Sequence, residues 1–90
     1  MDDFVIPGTI KVVHVEDNAT DAVYVRGALE NIADIKFNVL LATSLAQAAE
    51  MLRHNRDTDV ILLDMTLPDS DGLNTLDQLR QGFPDKPIVM

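Results

Sequence analysis

Acidic side chains follow two apolar segments of this 90-residue chain, and they are the residues best suited to chemistry. Asp64 comes directly after the apolar segment 60–63, and Glu16 and Asp17 come directly after the segment 10–15. Two carboxylates about 4 Å apart repel by roughly 4 kcal/mol at an effective dielectric constant near 20. A cluster of such groups is stable when it takes up a proton or a divalent cation that prefers oxygen ligands. A metal beside a carboxylate with a free oxygen favours phosphoryl chemistry.

These acids need a scaffold that brings two strand ends to one edge of a sheet, and the residue pattern predicts such a scaffold. The predicted strands are residues 10–15, 36–42, 60–63 and 87–90, and the predicted helices begin at Asn18, Ser44 and Asp71. The predicted inner face of the first helix consists of Ala22, Val25, Leu29 and Ile32. Apolar strands that alternate with helices are typical of a parallel sheet covered on both faces. Ligands of such sheets bind at the carboxyl ends of the strands, where the acids are expected.

Three other polar or aromatic residues are expected to have structural roles. His14 lies within the first strand, and we expect a packed core histidine there. Tyr24 lies off the apolar stripe of the first helix and should be a half-exposed surface residue. His54 is near the end of the second helix, where its charge would favour the helix dipole.

Composition excludes several classes of protein. The net charge is −8, from 15 acids against 7 Lys and Arg residues, and this excludes a DNA-binding surface because phosphate backbones are bound by basic surfaces. There is no cysteine, so neither a disulfide framework nor a thiolate metal site can form. No apolar run approaches the roughly 18 residues of a membrane span, and the start of the chain is acidic. With 47% hydrophobic residues, we expect one small folded domain in the cytoplasm.

Three motifs of the chain resemble the receiver, or phosphoacceptor, domain of two-component response regulators. They are VHVEDN at residues 13–18, DVILLD at 59–64 and LPDSDGL at 67–73. The resemblance implies that Asp64 accepts a phosphoryl group from the phosphohistidine of a sensor histidine kinase or a histidine phosphotransfer protein. It also implies that Mg²⁺ is bound by Asp17 and Asp64 and by the backbone carbonyl of Thr66, while Glu16 holds a metal-bound water. The domain would then be a signalling module rather than an enzyme, with no nucleic acid or membrane as a direct partner.

The resemblance also implies a fold, and the chain departs from the complete family pattern. The implied fold is a flavodoxin-like, doubly wound parallel α/β sheet with strand order 2-1-3-4-5 in the full domain. Residues 1–90 are interpreted as a single partial receiver domain, made of three βα units and the start of the fourth strand. The family's Thr or Ser after the fourth strand, its Lys after the fifth strand and its last helices have no counterpart. We expect such a fragment to expose an apolar face and to cover it by forming a homodimer, by exchanging strands or by contact with the missing sequence.

Two other functions were weighed against phosphoryl acceptance. A receiver-like docking domain would work without phosphorylation, but such domains usually lose the acceptor or the acidic pair, and both are present here. A phosphatase of the haloacid dehalogenase type also has an Asp nucleophile after an apolar strand. That family has a second Asp two residues later, where this chain has Thr66. Phosphoryl acceptance therefore remains the leading hypothesis.

Overall fold

Strands and helices alternate along the chain as the sequence predicts. The computed structural model describes residues 9–32, 35–63 and 72–90, with the backbone alone at residues 72 and 73. In chain order, the elements in these ranges are β1 (Thr9–Val15), α1 (Ala19–Glu30), β2 (Lys36–Ala42), α2 (Leu45–His54), β3 (Val60–Leu63), α3 (Gly72–Gly82) and β4 (Ile88–Val89). None of these three helices has the length and apolarity needed to cross a membrane.

The strands form one parallel sheet in the order β2-β1-β3-β4. β1 lies between β2 and β3, and its last residue, Val15, is opposite both Ala42 of β2 and Leu63 of β3. Three strands therefore end along one line at the carboxyl edge of the sheet. The doubly wound α/β fold and the 2-1-3-4 order are confirmed.

The core lies between the sheet and the α2–α3 layer. Val13 and Val15 point from β1 into this core, whereas Val12 and His14 point to the opposite face, because side chains alternate along a strand. The buried core residues are Val13, Val15, Ala42, Leu45, Ala48, Leu52, Ile61, Leu63, Leu76 and Leu79. These side chains hold α2 and α3 against the strands whose ends carry the candidate site.

Helix α1 packs on the other face of the sheet, and it is less amphipathic than the sequence predicts. Within α1, Ala22 alone is buried, while Val23 and Tyr24 are 71% and 76% exposed. The prediction that Ile32 belongs to this helix is wrong. The helix ends at Glu30, and Ile32 donates its backbone N–H to the Leu29 carbonyl in a tighter final turn. Ile32 is consequently 44% exposed rather than part of the inner face.

Side-chain caps set the starts of α1 and α2. Asn18 Oδ1 accepts the Asp21 N–H at 3.0 Å, and Ser44 Oγ accepts the Gln47 N–H at 3.1 Å. Each satisfies a backbone donor that the helix leaves unpaired, and such a cap contributes about 1 kcal/mol. The Gln47 side chain returns to the N–H of Thr43, at 2.6 Å, which is one residue before the cap. Both predicted caps are confirmed.

Lys11, Asp57 and Asp59 form a set of contacts at the opposite, amino edge of the sheet, called here the amino-edge clasp. The Asp59 N–H donates to the Lys11 carbonyl at 2.8 Å, and the Lys11 N–H donates to Asp59 Oδ2 at 2.8 Å. The Lys11 ammonium lies 2.9 Å from Asp57 Oδ1, and this hydrogen bond lowers the pKa of Asp57 below its usual value. The clasp joins the start of β1 to the turn before β3.

A second ion-pair group lies on the surface of α2. The Glu50 carboxylate lies 2.8 Å from Arg53 Nη2 and 2.7 Å from His54 Nε2. The hydrogen bond from Arg53, followed by that from His54, lowers the pKa of Glu50. His54 therefore contacts a carboxylate of its own helix, and it also lies near the end of that helix.

Replacing a fully buried core residue should destabilise the fold strongly. We expect Leu52→Ala to lower the free energy of unfolding by about 2–5 kcal/mol, because Leu52 is 1% exposed and its loss leaves a cavity between α2 and the sheet. Val23→Ala, at a position that is 71% exposed, is the control and should change it by less than about 0.5 kcal/mol. Urea unfolding followed by circular dichroism measures both. Equal effects would contradict the assigned core.

The clasp predicts a specific pH dependence of stability. Because the pKa of folded Asp57 is lowered, its contribution is present above the unfolded value of about 3.9 and is lost as pH falls through the folded value. We expect Asp57→Asn to be less stable than wild type at neutral pH, with a difference that shrinks in acid. Urea midpoints of both proteins between neutral and acidic pH test this. A difference that grows toward acid would contradict the assignment.

Candidate functional site

Two of the predicted acids, Glu16 and Asp17, lie at the carboxyl edge of the sheet. β1 ends at Val15 and β3 ends at Leu63, and these two residues are register partners in the parallel pair. The next residues in sequence are Glu16 after β1 and Asp64 after β3. Asp64 lies outside the described residues, as does Thr66, so the described geometry of the site is that of Glu16, Asp17 and the strand ends.

Glu16 is held in place by both its backbone and its side chain. Its N–H donates to the Ala42 carbonyl at 2.8 Å, which extends the β1–β2 ladder beyond Val15. Its Oε2 accepts the Asn18 N–H at 3.3 Å, and the residue is 9% exposed. A carboxylate held in this way has few alternative rotamers, so its oxygens occupy a defined place at the sheet edge.

Asp17 differs from its neighbour in being exposed. It lies between the end of the ladder at Glu16 and the start of α1, where the Asn18 carbonyl accepts the Ala22 N–H at 3.0 Å. The backbone on both sides of Asp17 is therefore fixed, while its carboxylate faces solvent. A buried carboxylate beside an exposed one offers oxygen ligands and leaves room for water. Mg²⁺ prefers such a site, because it usually keeps several waters and binds one or two carboxylates. The chemistry of the described acids thus fits a magnesium ion.

His14 is a neighbour of the site that the sequence interpretation missed. The residue is 5% exposed, as expected for a packed core histidine, but its Nε2 also lies 4.0 Å from Glu16 Oε1. Residues two apart in a strand share a face, so the spacing of His14 and Glu16 was the available signal. The Glu16 carboxylate therefore has a polar ring next to it as well as the backbone of α1.

The complete predicted metal site cannot be assembled from the described residues. In residues 9–32, 35–63 and 72–90, no three His, Cys, Asp or Glu side chains come together as a metal-binding group. Two of the four predicted ligands or water-holding groups, Glu16 and Asp17, are adjacent at the carboxyl edge. The roles assigned to Asp64 and Thr66 remain predictions.

The chain is similar in sequence to part of a bacterial regulatory protein and to part of a bacterial enzyme. The chain is 35% identical over 75 residues to the luminescence regulatory protein LuxO of Vibrio campbellii, which covers 83% of this chain and 16% of that protein. It is also 35% identical over 80 residues to a protein-glutamate methylesterase/protein-glutamine glutaminase of Rhodospirillum centenum, covering 89% of this chain and 20% of the relative. The chain therefore spans a fifth or less of the length of these relatives.

Solved structures with the same fold are parts of response regulators. The MaeR response regulator bound to beryllium trifluoride matches with a TM-score of 0.74 and 25% identity, over 89% of this chain and 64% of that one. The receiver domain of HemR from Leptospira biflexa, at 24% identity, matches in fold with a TM-score of 0.71, over 88% of this chain and 60% of that one. The matched part of this chain includes its four-stranded parallel sheet in the order 2-1-3-4.

A family model identifies the chain directly. The model of the response regulator receiver domain matches residues 12–90, which include all of β1 from Val12 onward, Glu16, Asp17 and every later element. The matched region thus contains both strand ends that carry the predicted acids. This chain belongs to the family of response regulator receiver domains.

Proposed function

We propose that this receiver domain accepts a phosphoryl group on Asp64 and relays it as a signal in a two-component system. The observation that carries the proposal is the parallel pairing of β1 with β3, in which Val15 is opposite Leu63. Both strands end at the same edge, and Glu16 and Asp17 follow one strand where Asp64 follows the other. The beryllium trifluoride complex of MaeR adds support, because that relative binds a compact trifluoride of phosphoryl-like shape.

The proposed reaction is transfer from a phosphohistidine of a sensor histidine kinase or a histidine phosphotransfer protein. A carboxylate oxygen of Asp64 attacks phosphorus in line, and a P–O bond forms as the P–N bond breaks. The bond's electron pair stays on the imidazole nitrogen, which takes up a proton as the neutral ring leaves. Asp64 becomes an acyl phosphate. Bound Mg²⁺ would neutralise the phosphoryl oxygens and so reduce the repulsion between two anions.

The remaining site residues are proposed to position these groups. Asp17, whose carboxylate is exposed at the carboxyl edge, would bind the metal directly. Glu16 would hold a metal-bound water, because its carboxylate is buried and fixed by the Asn18 N–H. The backbone carbonyl of Thr66 would complete the protein's share of the shell. This division suits Mg²⁺, which usually keeps several waters and binds one or two carboxylates.

The proposed signal is the charge that phosphorylation adds to the carboxyl edge. A phosphorylated side chain carries about −1.5 to −2 charge units at neutral pH. In the proposed site this charge would lie beside an already buried carboxylate, Glu16, so the surrounding connections would have to rearrange. We place the domain in the cytoplasm, where its kinase or phosphotransfer partner would reach this edge. It would signal by changing shape rather than by turning over a substrate.

Phosphorylation can be tested with acetyl phosphate as donor. We expect the chain to gain the mass of one phosphoryl group in a reaction that requires Mg²⁺, and Asp64→Asn to gain none, because the amide lacks a nucleophilic oxygen anion. Asp69→Asn, which removes a nearby acid with no proposed role, is the matched control and should be modified like wild type. Intact-mass spectrometry provides the measurement.

The same experiment identifies failure of the proposal. Modification of Asp64→Asn at the wild-type level would mean that another residue is the acceptor. If neither this chain nor a version extended to include the Thr or Ser after the fourth strand and the Lys after the fifth takes up a phosphoryl group, and neither binds Mg²⁺, a docking domain that works without phosphorylation becomes the better explanation.

Metal binding can be tested without any phosphoryl transfer. We expect Asp17→Asn to weaken Mg²⁺ binding by more than about tenfold, and Glu16→Gln to weaken it by about tenfold, as groups that act through a metal-bound water usually do. Asp21→Asn removes the same charge from the first turn of α1, outside the proposed shell, and is the control. Calorimetric titration with MgCl₂ measures all four proteins. Equal weakening in all three variants would show a diffuse charge effect and remove the assigned roles.

A further inference from the structure

A concave surface lies between α2 and α3, and its lining runs from the first residues of α2 to Arg56 beyond the end of that helix. This α2–α3 groove encloses about 730 Å³, which is within the usual range of ligand sites. Its apolar wall includes Ala46, Ala49 and Phe83, and its cationic rim consists of Arg53, Arg56 and Lys86. Both helices run from the carboxyl edge of the parallel sheet back toward its amino edge. The rim cations lie toward the amino-edge ends of these helices, so the cationic part of the groove is at the opposite end of the helices from Glu16 and Asp17.

The groove is open because small residues face it. Ala46 is exposed and Ala49 is half-buried on α2, and Gly82 ends α3 on the other side. A Cβ added at Gly82 would meet nothing within 4 Å. Beneath them Leu52 and Leu79, each 1% exposed, already close the core. The space is therefore an external trough over a finished core rather than a packing defect.

The charge of the groove is opposite to that of the chain. Among the described residues, three cations line the groove, Arg53, Arg56 and Lys86, together with one acid, Asp85. Salt at physiological concentration screens charges beyond about 8 Å, so an occupant of the groove experiences this local balance more than the net charge of −8. With Arg53 paired to Glu50 and Asp85 opposing one of the other cations, the groove keeps a small positive excess, which favours a negatively charged partner.

Internal contacts account for part of this cationic rim. Arg53 pairs with Glu50 at 2.8 Å, and Lys86 Nζ donates to the Arg56 carbonyl at 2.5 Å. The Arg56 guanidinium has no ion pair with any residue in the described ranges. Arg53 lies in the last turn of α2, so its position is explained by the favourable interaction of a cation with the helix C-terminus. Arg56 lies beyond that helix, so this explanation does not apply to it. Arg56 is therefore the cation most available to an external carboxylate.

We propose that the α2–α3 groove binds an acidic amphipathic helix of a partner protein. Its apolar residues would enter between α2 and α3, and its flanking carboxylates would meet Arg56 and Lys86. The 10 residues of α2 form a wall about 15 Å long, which matches about three turns of a bound helix. Such a helix presents side chains at i, i+3, i+4 and i+7 to a groove of this kind. The proposal does not depend on phosphoryl transfer.

Two labelled synthetic peptides of about 14 residues test the proposal, with length set by the rise of a helix. Both carry Leu on one helical face; one has Glu beside that face and the other has Lys. Fluorescence anisotropy should show that the Glu peptide binds the wild-type chain at least about tenfold more tightly than the Lys peptide. Raising the NaCl concentration should weaken this preference.

Three variants locate the binding surface. Arg56→Glu should weaken binding of the Glu peptide by about tenfold or more. Gly82→Phe should also weaken binding of this peptide, because the added ring fills the groove. Arg80→Glu makes the same charge change on α3 at a residue that does not line the groove, so it should change binding by less than about twofold. Circular dichroism verifies that each variant is folded. If a variant does not fold, the comparison of the Glu and Lys peptides on the wild-type chain still tests the proposal.

Several outcomes would overturn the proposal. Equal affinity for the two peptides, or equal weakening by Arg56→Glu and Arg80→Glu, would show nonspecific attraction. No binding of the Glu peptide at millimolar concentration would exclude the groove as a helix site. Sedimentation equilibrium that shows self-association abolished by Arg56→Glu, together with no peptide binding, would identify a second copy of this chain as the occupant.

Discussion

The parallel pairing of β1 with both of its neighbours is the constraint on which the rest of the structure depends. Val15 is opposite Ala42 on one side and Leu63 on the other, so three strands stop at the same line. A slip of one residue would turn Val13 and Val15 away from the α2–α3 layer and bring His14 into it. The core therefore fixes the register, and the register decides which residues follow the strand ends. Glu16 occupies its place because the buried valines and leucines of the core hold β1 in register.

Local signals explain why much of the fold was predictable. Caps such as Asn18 and Ser44 bond to backbone groups three residues away, and apolar strands are recognised by composition alone. Features that depend on the packing of several elements were predicted less well. Val23 and Tyr24 make α1 apolar on its outer side too, so periodicity gave an uncertain inner face and an incorrect end near Ile32. A pattern in one helix cannot report how much of that helix its neighbours will cover.

The candidate site shows the same division. That Glu16 and Asp17 would lie at a strand end followed from sequence, because acids after an apolar strand have few other positions to occupy. That Glu16 would be buried, joined to Ala42 through its backbone and close to His14, depended on the path of β2 and α1. The family match covers residues 12–90 and so includes Asp64, whose role as acceptor stays a prediction.

The amino-edge clasp fixes β1 to the start of β3 at the amino edge of the sheet. Lys11 and Asp59 are joined by two hydrogen bonds of 2.8 Å, so the start of β1 and the approach to β3 move together. Strain at the carboxyl edge cannot be relieved by sliding β1 against β3, because sliding would break both the clasp and the buried register. It must pass instead into the connections that leave that edge. We therefore expect the sheet to keep its register while those connections change.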